Sequence, residues 1–319
     1  MSHGLSKCTV LTPCTCGELV QGTLDGQPFL VSCPIDRYSQ VTVALLPEPP
    51  GGIPALGNEH HSKAIAGVVA ALAYLGMSGT PFRLELSRPL PPSRGFGTST
   101  ADVVGAIVAA AGAAGHHLQP EEVASLAVSV EPSDSTMFPG LALLDHRGGS
   151  RWEPLGPAPS LLVAVLEFGG AVDTVSYNRG LNLAVLRGMG RDHARAVELL
   201  RRGLGEGRLD MIGLATTLSA CLNQGLLPKP CLEAAIELAG RHQGLGVCVA
   251  HSGTVLGVLF PPGAARAARR LLAAAEGSLP GLESGWLAEM VGGGARLLGH
   301  GLRIVGREGG VEPAALRLV

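Results

Sequence analysis

The glycine-rich segment at residues 92–102, which reads PSRGFGTSTAD, constrains the fold more than any other part of the sequence. An alternating strand pattern, Phe82–Leu86, precedes it, and an apolar helical stretch that runs to about Gly115 follows it. Gly95 and Gly97 allow backbone conformations and close approaches that a side chain would block. The segment therefore predicts a loop at a helix N-terminus, where main-chain amides and the helix dipole favour a bound polyphosphate.

The hydroxyl residues of this segment allow two interpretations. Thr98, Ser99 and Thr100 can donate to phosphate oxygens or complete the ligand shell of a Mg²⁺ ion. Alternatively, Ser99 and Asp102 form a capping box that only starts the helix. Because the segment matches neither a Walker A loop nor the GxGxxG pattern, it does not identify the ligand by itself.

Composition excludes several classes of protein. The 319 residues carry a net charge of −2 and 3% aromatic residues, which argues against a nucleic-acid partner. The longest apolar stretches, Ala64–Met77 and Val103–Gly115, are shorter than the ~20 residues of a membrane span and predict buried helices. The first residues carry no apolar leader, and the seven scattered cysteines form no disulfide or zinc pattern. We therefore expect a cytoplasmic protein with reduced thiols and no membrane partner.

The order of the predicted elements indicates two domains, residues 1–157 and 158–319. In the first, short strands at Val10–Thr12 and Phe29–Ser32 flank a glycine-rich turn region, residues 17–26. The second has three helices, two strands and a helix in order, which is typical of an α+β sandwich. These are predicted at residues 191–205, 210–222, 229–241, 245–250, 254–260 and 264–276. Further predicted elements are strands at residues 40–46, 141–145, 161–167 and 302–305 and helices at residues 58–75 and 120–130.

Two more segments accompany the glycine-rich loop in a fixed order. Thr12–Gly22 reads TPCTCGELVQG, and Gly246–Val255 reads GVCVAHSGTV. With Pro91–Ala101, they resemble the three motifs of the GHMP kinase superfamily. The resemblance implies an α+β fold of two domains, an N-terminal ribosomal-protein-S5-like α/β domain and a C-terminal ferredoxin-like α+β domain. It also implies that ATP and Mg²⁺ are the cofactors.

The resemblance implies roles for the residues of the loop and for two carboxylates. Ser99 and Glu131 match the Mg²⁺ ligands, and Ser99 also acts at the reacting phosphate. Asp134 is a candidate for the base that takes the acceptor proton, for a further metal ligand, or for a simple turn residue. It shares a face with Glu131 if Pro132 begins a helical turn. The residues that match the ATP-binding loop are Pro91, Pro92, Ser93, Arg94, Gly95, Phe96, Gly97, Thr98, Ser99, Thr100 and Ala101.

One departure from the family limits the mechanism. Mevalonate kinase-like members carry a lysine in the first motif that lowers the pKa of the acceptor hydroxyl, and Thr15 stands at about that position here. An Asp–Lys pair is therefore not expected. If Asp134 is not the base, the proton passes directly to a phosphate oxygen, as in homoserine kinase-like members.

Within the superfamily, five segments resemble the L-threonine kinase branch, which makes O-phospho-L-threonine for the aminopropanol linker of cobalamin. They are GELVQG at residues 17–22, VSCPID at 31–36, GTSTAD at 97–102, EPSDST at 131–136 and AHSG at 250–253. This implies free L-threonine as the acceptor and a homodimer as the assembly. L-serine, homoserine or a catalytically silent metabolite-binding regulator are the alternatives. The candidate substrate-binding residues are Glu18, Gln21, Asp36, Arg179 and Ser252.

Overall fold

Eleven strands form one sheet in a computed structural model, which describes residues 7–47, 61–170, 188–229, 231–298 and 303–304. The strands are β1 (Lys7–Leu24), β2 (Gln27–Leu45), β3 (Phe82–Ser87), β4 (Leu141–Leu144), β5 (Trp152–Gly156), β6 (Leu162–Phe168), β7 (Gly246–Val249), β8 (Leu256–Phe260), β9 (Leu282–Glu289), β10 (Arg296–Leu298) and β11 (Arg303–Ile304). The helices of the described residues are α1 (Ser62–Tyr74), α2 (Thr98–Ala113), α3 (Pro120–Val130), α4 (Gly190–Glu206), α5 (Leu209–Asn223), α6 (Leu232–Arg241) and α7 (Ala265–Ser278). This mixture of helices and antiparallel strands confirms the predicted α+β class.

The sheet is ordered β5-β4-β2-β1-β7-β8-β6-β9, and β3 and β10 extend it beside β2 and β1. Every strand pair among the described residues is antiparallel. The strand β1 is shared, because it pairs with β2 and β10 and also, through Glu18 and Val249, with β7. The predicted division of the chain at residue 157 stays a prediction.

The first two strands are longer than the sequence indicated. The prediction of a glycine-rich turn over residues 17–26 is wrong, because β1 continues through Gly17 and Gly22 to a tight turn at Asp25 and Gly26. The pairing of β1 with β2 shifts register between Thr15 and Glu18, where Gly17 has a positive φ of 62°. Glycine therefore bends this strand as a bulge does instead of ending it.

The central helix α2 is buried on nearly all sides. Only Ser99 and Gly112 of its residues are not buried, as predicted for this apolar stretch. Small residues let the helix approach the sheet closely, since a Cβ on Gly105 would lie 2.8 Å from a methyl carbon of Val41. The other predicted buried helix, α1, is buried on one face only, and Val69 is 53% exposed.

The C-terminal half has the predicted helix–strand–strand–helix order. Helices α4 and α5 pack against β1, α6 packs against β7 and β8, and α7 packs against β6 and β9. Three strands were not predicted, because β5, β9 and β10 are short or contain Gly, Ser or Pro. Residues 58–60 of the predicted first helix lie outside the described residues. No helix among those described has the length and apolar character needed to cross a membrane.

A glycine substitution tests the close contact between β1 and β7. A Cβ on Gly17 would collide with the main chain of Val249 and Ala250, whereas Gly76, with a φ of 74°, has open space around it. We expect Gly76→Ala to lower the free energy of unfolding by about 1–2 kcal/mol, the cost of a left-handed backbone. Gly17→Ala should cost at least about 2 kcal/mol more, because main-chain atoms must move. Urea unfolding of both variants measures the difference, and equal losses would contradict the contact.

Candidate active site

A cavity of about 580 Å³ opens where α2 begins. Its floor is the glycine-rich loop, and its walls come from β1, α1, and the segments that follow α3, β4 and β7. A cavity of this volume fits a small-molecule ligand. The charged residues and histidines that line it are Glu18, His61, Lys63, Arg88, Asp102, Glu131, Asp134, His146 and His251.

Three distant segments of the chain are joined by main-chain hydrogen bonds at the loop. The amide of Thr15 donates to Phe96 O (2.8 Å), and the amide of Gly17 donates to Gly95 O (3.3 Å). From the other side, the amides of Thr254 and Val255 both donate to Arg94 O (2.9 and 3.0 Å). The structure thus brings together the three segments that the sequence singled out.

The start of α2 is shaped by glycine rather than by a side-chain cap. Gly97 is the N-cap residue with a φ of 60°, and no side chain caps the helix. The capping-box alternative for Ser99 and Asp102 is therefore wrong. The Asp102 carboxylate instead accepts hydrogen bonds from Ser39 Oγ and from Arg88 Nε (2.6 Å), which leaves the first amides of the helix to face a ligand.

Ser99, Glu131 and Lys63 form a cluster beside the loop. The Ser99 hydroxyl donates to Glu131 Oε1, and Lys63 Nζ lies 2.5 Å from Glu131 Oε2 and 3.4 Å from Ser99 Oγ. The Glu131 side chain is only 5% exposed, whereas that of Lys63 is 47% exposed. A carboxylate held at the cavity wall with a hydroxyl is a pair of hard oxygen ligands.

The segment that carries Glu131 and Asp134 is not helical, so Pro132 does not begin the helical turn on which a shared face of the two carboxylates depended. Helix α3 ends at Val130, and Glu131 follows with φ −162° and ψ 161°. Tertiary hydrogen bonds fix this conformation, because the amide of Ser133 donates to His146 O (3.0 Å) and that of Asp134 to Thr100 Oγ1 (3.1 Å). Both carboxylates nevertheless line the same cavity.

Burial and mutual repulsion raise the pKa values of the inner carboxylates. Burial, with the Glu131 charge, raises the pKa of Asp134 to about 7. Burial, with the Asp134 charge, raises the pKa of Glu18 well above its ordinary value, and Glu18 Oε2 has no hydrogen-bond partner within the described structure. Buried carboxylates in this arrangement are stabilised by a cation that enters the cavity.

The donor set fits Mg²⁺ better than a metal held by protein side chains alone. Among the described residues, no group of three His, Cys, Asp or Glu side chains is arranged to hold a metal ion. Mg²⁺ is commonly bound by one or two carboxylates, with phosphate oxygens and water completing its octahedron. The oxygens of Ser99 and Glu131 meet that requirement.

A hydrogen-bonded pair lies beside the other end of the cavity, where His251 lines the cavity and Gln21 lies behind it. Gln21 Nε2 donates to Val249 O (3.4 Å), so Gln21 Oε1 accepts from His251 Nδ1 (2.6 Å). Burial, followed by the charges of nearby cationic groups, lowers the pKa of His251 well below its ordinary value. Ser252, the next residue, also lines the cavity, so two of the predicted substrate residues meet near this neutral imidazole.

Several predicted site residues do not line the cavity. Asp36 forms an ion pair with Arg37 (2.9 Å) and accepts from the amide of Glu289 (3.1 Å), away from the cavity lining. Arg94 donates to Glu283 (2.6 Å), so it anchors the loop to β9 instead of lining the cavity. Pro91 and Ala101 do not line the cavity either, and Arg179 lies outside the described residues.

Several polar residues at or near the cavity, among them Lys63, Arg88, His146, His251 and Lys229, were not assigned a role from the sequence. Arg88 binds Asp102, and His146 and His251 have ring centroids 4.8 Å apart. Lys229 is 5% exposed and donates through Nζ to Gly253 O, in the turn that packs on Gly95. Three of them had a signal in the sequence, because His251 lies in the AHSG segment and Lys63 and Lys229 are two of just three lysines.

The sequence comparisons identify relatives over most of the chain. The family model for the GHMP kinases N terminal domain matches residues 62–138. An L-threonine kinase of Salmonella typhimurium is 34% identical over 249 residues, which cover 78% of this chain and 81% of the relative. An L-threonine kinase of Citrobacter freundii is also 34% identical, over 78% of this chain and 84% of its own.

Solved structures show the same fold at low sequence identity. A homoserine kinase of Cytophaga hutchinsonii superposes with a TM-score of 0.72 at 15% identity, over 93% of this chain and 99% of the neighbour. An L. major mevalonate kinase in complex with R-mevalonate superposes with a TM-score of 0.62 at 18% identity, over 91% of this chain and 97% of the neighbour. The two-domain fold expected from the sequence is the fold of these kinases.

Replacement of Lys229 tests its buried charge. Burial lowers the pKa of Lys229 to about 8, whereas an unfolded lysine titrates near 10.4. Between about pH 8 and pH 10 the unfolded chain therefore binds more protons at Lys229, so the contribution of this residue to stability becomes more favourable as pH rises. We expect the free energy of unfolding of the wild type to increase relative to that of Lys229→Met over this range. Urea unfolding at several pH values measures the difference, and a constant difference would contradict a buried ammonium group.

Proposed function

Because the chain belongs to the GHMP kinase family and is a small-molecule kinase, we propose that it transfers the γ-phosphoryl group of ATP to the hydroxyl of free L-threonine. The observation that carries this proposal is a single cavity in which the glycine-rich loop meets Glu131, Asp134 and Glu18. The 34% identity to two L-threonine kinases over most of their length supports the choice of acceptor.

The loop supplies the phosphate site in this proposal. Gly95, Gly97 and the first residues of α2 line the cavity, no side chain caps the helix, and the helix dipole adds partial positive charge there. Lys63 adds a full positive charge at the same wall. Phosphoryl transfer depends on such positioning and charge stabilisation more than on covalent chemistry by the protein.

Ser99 and Glu131 would hold Mg²⁺ through their oxygens. A magnesium ion bound there neutralises charge on the phosphate oxygens during transfer. Glu131 is fixed by the Ser99 hydroxyl and by Lys63, so its carboxylate is oriented before any ligand enters. That fixed orientation lowers the conformational entropy that is lost when the metal and the phosphates bind.

Asp134 is proposed as the base that accepts the hydroxyl proton. Its pKa of about 7 gives it a useful fraction of the ionised form at neutral pH and a stronger affinity for a proton than an ordinary aspartate. It lies next to Gly97, because a Cβ there would collide with Asp134 Oδ2. The alternative is the base-free route, in which the proton passes to a phosphate oxygen.

Glu18 is proposed to bind the ammonium group of the acceptor. It is 3% exposed, it lines the cavity, and its Oε2 has no hydrogen-bond partner within the described part of the chain. An ammonium group would supply both the missing donor and the countercharge. Ser252 is kept as a further substrate contact, and Arg179 is kept as a proposed partner of the acceptor carboxylate.

The finer parts of the proposal rest on the sequence resemblance. O-phospho-L-threonine would serve the aminopropanol linker of cobalamin, and the enzyme would act in the cytoplasm as a homodimer. All seven cysteines are unpaired, which supports a reducing compartment. L-serine and homoserine stay as alternative acceptors, because one methyl group discriminates by only about 1–3 kcal/mol.

Transfer from labelled ATP to a panel of amino acids tests the proposal directly. With Mg²⁺ present, we expect label on L-threonine at a kcat/KM at least about tenfold above that on L-serine and homoserine. A higher kcat/KM for another acceptor would overturn the choice of threonine. Absence of transfer to every acceptor would support the silent-regulator alternative.

Glu131→Gln tests the proposed metal site. We expect kcat/KM to fall by about 10²-fold or more, and half-maximal activity to need more Mg²⁺, because a neutral amide binds the ion weakly. Glu153→Gln is the matched control, since Glu153 pairs with Arg201 outside the cavity. Equal effects of the two substitutions would contradict a metal role for Glu131.

Asp134→Asn distinguishes the two proton routes. If Asp134 is the base, kcat should fall by about 10²-fold or more while the KM for ATP changes little. A loss below about tenfold would instead favour direct transfer to a phosphate oxygen. Asp210→Asn, at an exposed ion pair with Arg208, should leave both constants unchanged.

A further inference from the structure

Leu30 is a buried side chain of β2 that lies outside the hydrophobic clusters of the protein. It is only 2% exposed, and it lines the main cavity. It nevertheless belongs to none of the three hydrophobic clusters that the described residues form. An apolar side chain that is shielded from water and placed on a cavity wall can contact an apolar part of a ligand.

The alternation of side chains along β2 accounts for this position. Phe29 and Val31 are members of one hydrophobic cluster, so their side chains lie on the same face of the strand. Leu30 and Ser32 therefore point to the opposite face. The core covers the first face, and the cavity opens on the second, where Leu30 lines it.

The face that Leu30 occupies also carries the groups proposed to bind the acceptor. The amide of Ser135 donates to Ser32 Oγ (3.1 Å), which holds the segment of Asp134 against β2. Burial and the Asp134 charge raise the pKa of Glu18, and a hydrogen bond from Ser32 partly offsets that rise. Ser32 thus contacts both the Glu18 carboxylate and the segment of Asp134, and Leu30 is the next residue on the same face.

The other apolar residues of the cavity lining differ from Leu30. Ala64 and Phe96 are members of hydrophobic clusters, so the core already surrounds them. Pro92 and Pro132 are not buried. Among the described residues that line the cavity, Leu30 is therefore the one buried apolar side chain outside those clusters.

We propose that Leu30 contacts the methyl group of the acceptor and thereby selects threonine over serine. The inference rests on the proposed function, in which a free amino acid places its ammonium group at Glu18 and its hydroxyl at Asp134. In L-threonine the methyl group is bonded to the same carbon as that hydroxyl, so a side chain beside both groups meets it. In an apolar site, one such group changes kcat/KM by about 10–200-fold.

Leu30→Ala tests the methyl contact. We expect kcat/KM for L-threonine to fall at least about tenfold and that for L-serine, which has no methyl group, to change by less than about twofold. Leu143→Ala is the matched control, because Leu143 is a 1% exposed leucine that packs in the core and does not line the cavity. It should leave the threonine-to-serine ratio unchanged, and an unchanged ratio in Leu30→Ala as well would overturn the inference.

A larger acceptor supplies a gain of activity that a loss of stability cannot produce. (2S,3R)-3-Hydroxynorvaline carries an ethyl group in place of the methyl group of L-threonine. Because Leu30→Ala opens space at that group, kcat/KM for this acceptor relative to L-threonine should rise at least about tenfold over the wild-type ratio. Leu30→Val, which removes less volume and keeps the test possible if Leu30→Ala does not fold, should shift the ratio in the same direction. No rise in a folded variant would contradict the contact.

Calorimetric binding of the same amino acids separates this inference from the proposed function. We expect the wild type to bind L-threonine at least about fivefold more tightly than L-serine, and Leu30→Ala to remove most of that difference. Threonine kinase activity with unchanged selectivity in the Leu30 variants would overturn the methyl contact and leave the proposed function standing. Threonine binding without transfer, with the preference lost in Leu30→Ala, would overturn the proposed function and support the contact. Absence of both binding and transfer would overturn both.

Discussion

The close approach of three main chains at the phosphate loop is the constraint on which the rest of the structure depends. A Cβ on Gly253 would collide with the main chain of Arg94 and Gly95, and a Cβ on Gly17 with that of Val249. Because main-chain atoms cannot rearrange as side chains do, these contacts permit only one arrangement of the loop. The shared strand β1 therefore fixes the position of the helix N-terminus relative to both halves of the sheet.

Around that fixed loop, burial shifts the pKa values of four titratable groups toward their neutral forms. Glu18 and Asp134 have raised pKa values, and Lys229 and His251 have lowered ones. Each group is less stable in its charged form than it would be in water. A ligand that brings an opposite charge close to one of these groups therefore stabilises the charged form of that group.

The sequence predicted the parts of the site that depend on local pattern. The conformational freedom of glycine and the sequence pattern of a helix N-terminus predicted the roles of Gly95, Gly97 and Ser99. The family resemblance added Glu131. The sequence could not predict that β1 continues through Gly17, because the neighbouring strands decide whether a glycine ends a strand or only bends it. Nor could it place His146 or exclude Asp36 from the cavity, because those positions depend on contacts between distant residues.

The absence of a lysine in the first motif has a structural consequence. Thr15 stands near Gly97, where its buried Oγ1 has no hydrogen-bond partner among the described residues and lies in the region of Asp134 Oδ2. A lysine there would stabilise the ionised aspartate and lower its pKa. With threonine instead, burial and Glu131 raise the pKa of Asp134 to about 7. The threonine at this position therefore leaves Asp134 with a higher affinity for a proton than it would have beside a lysine.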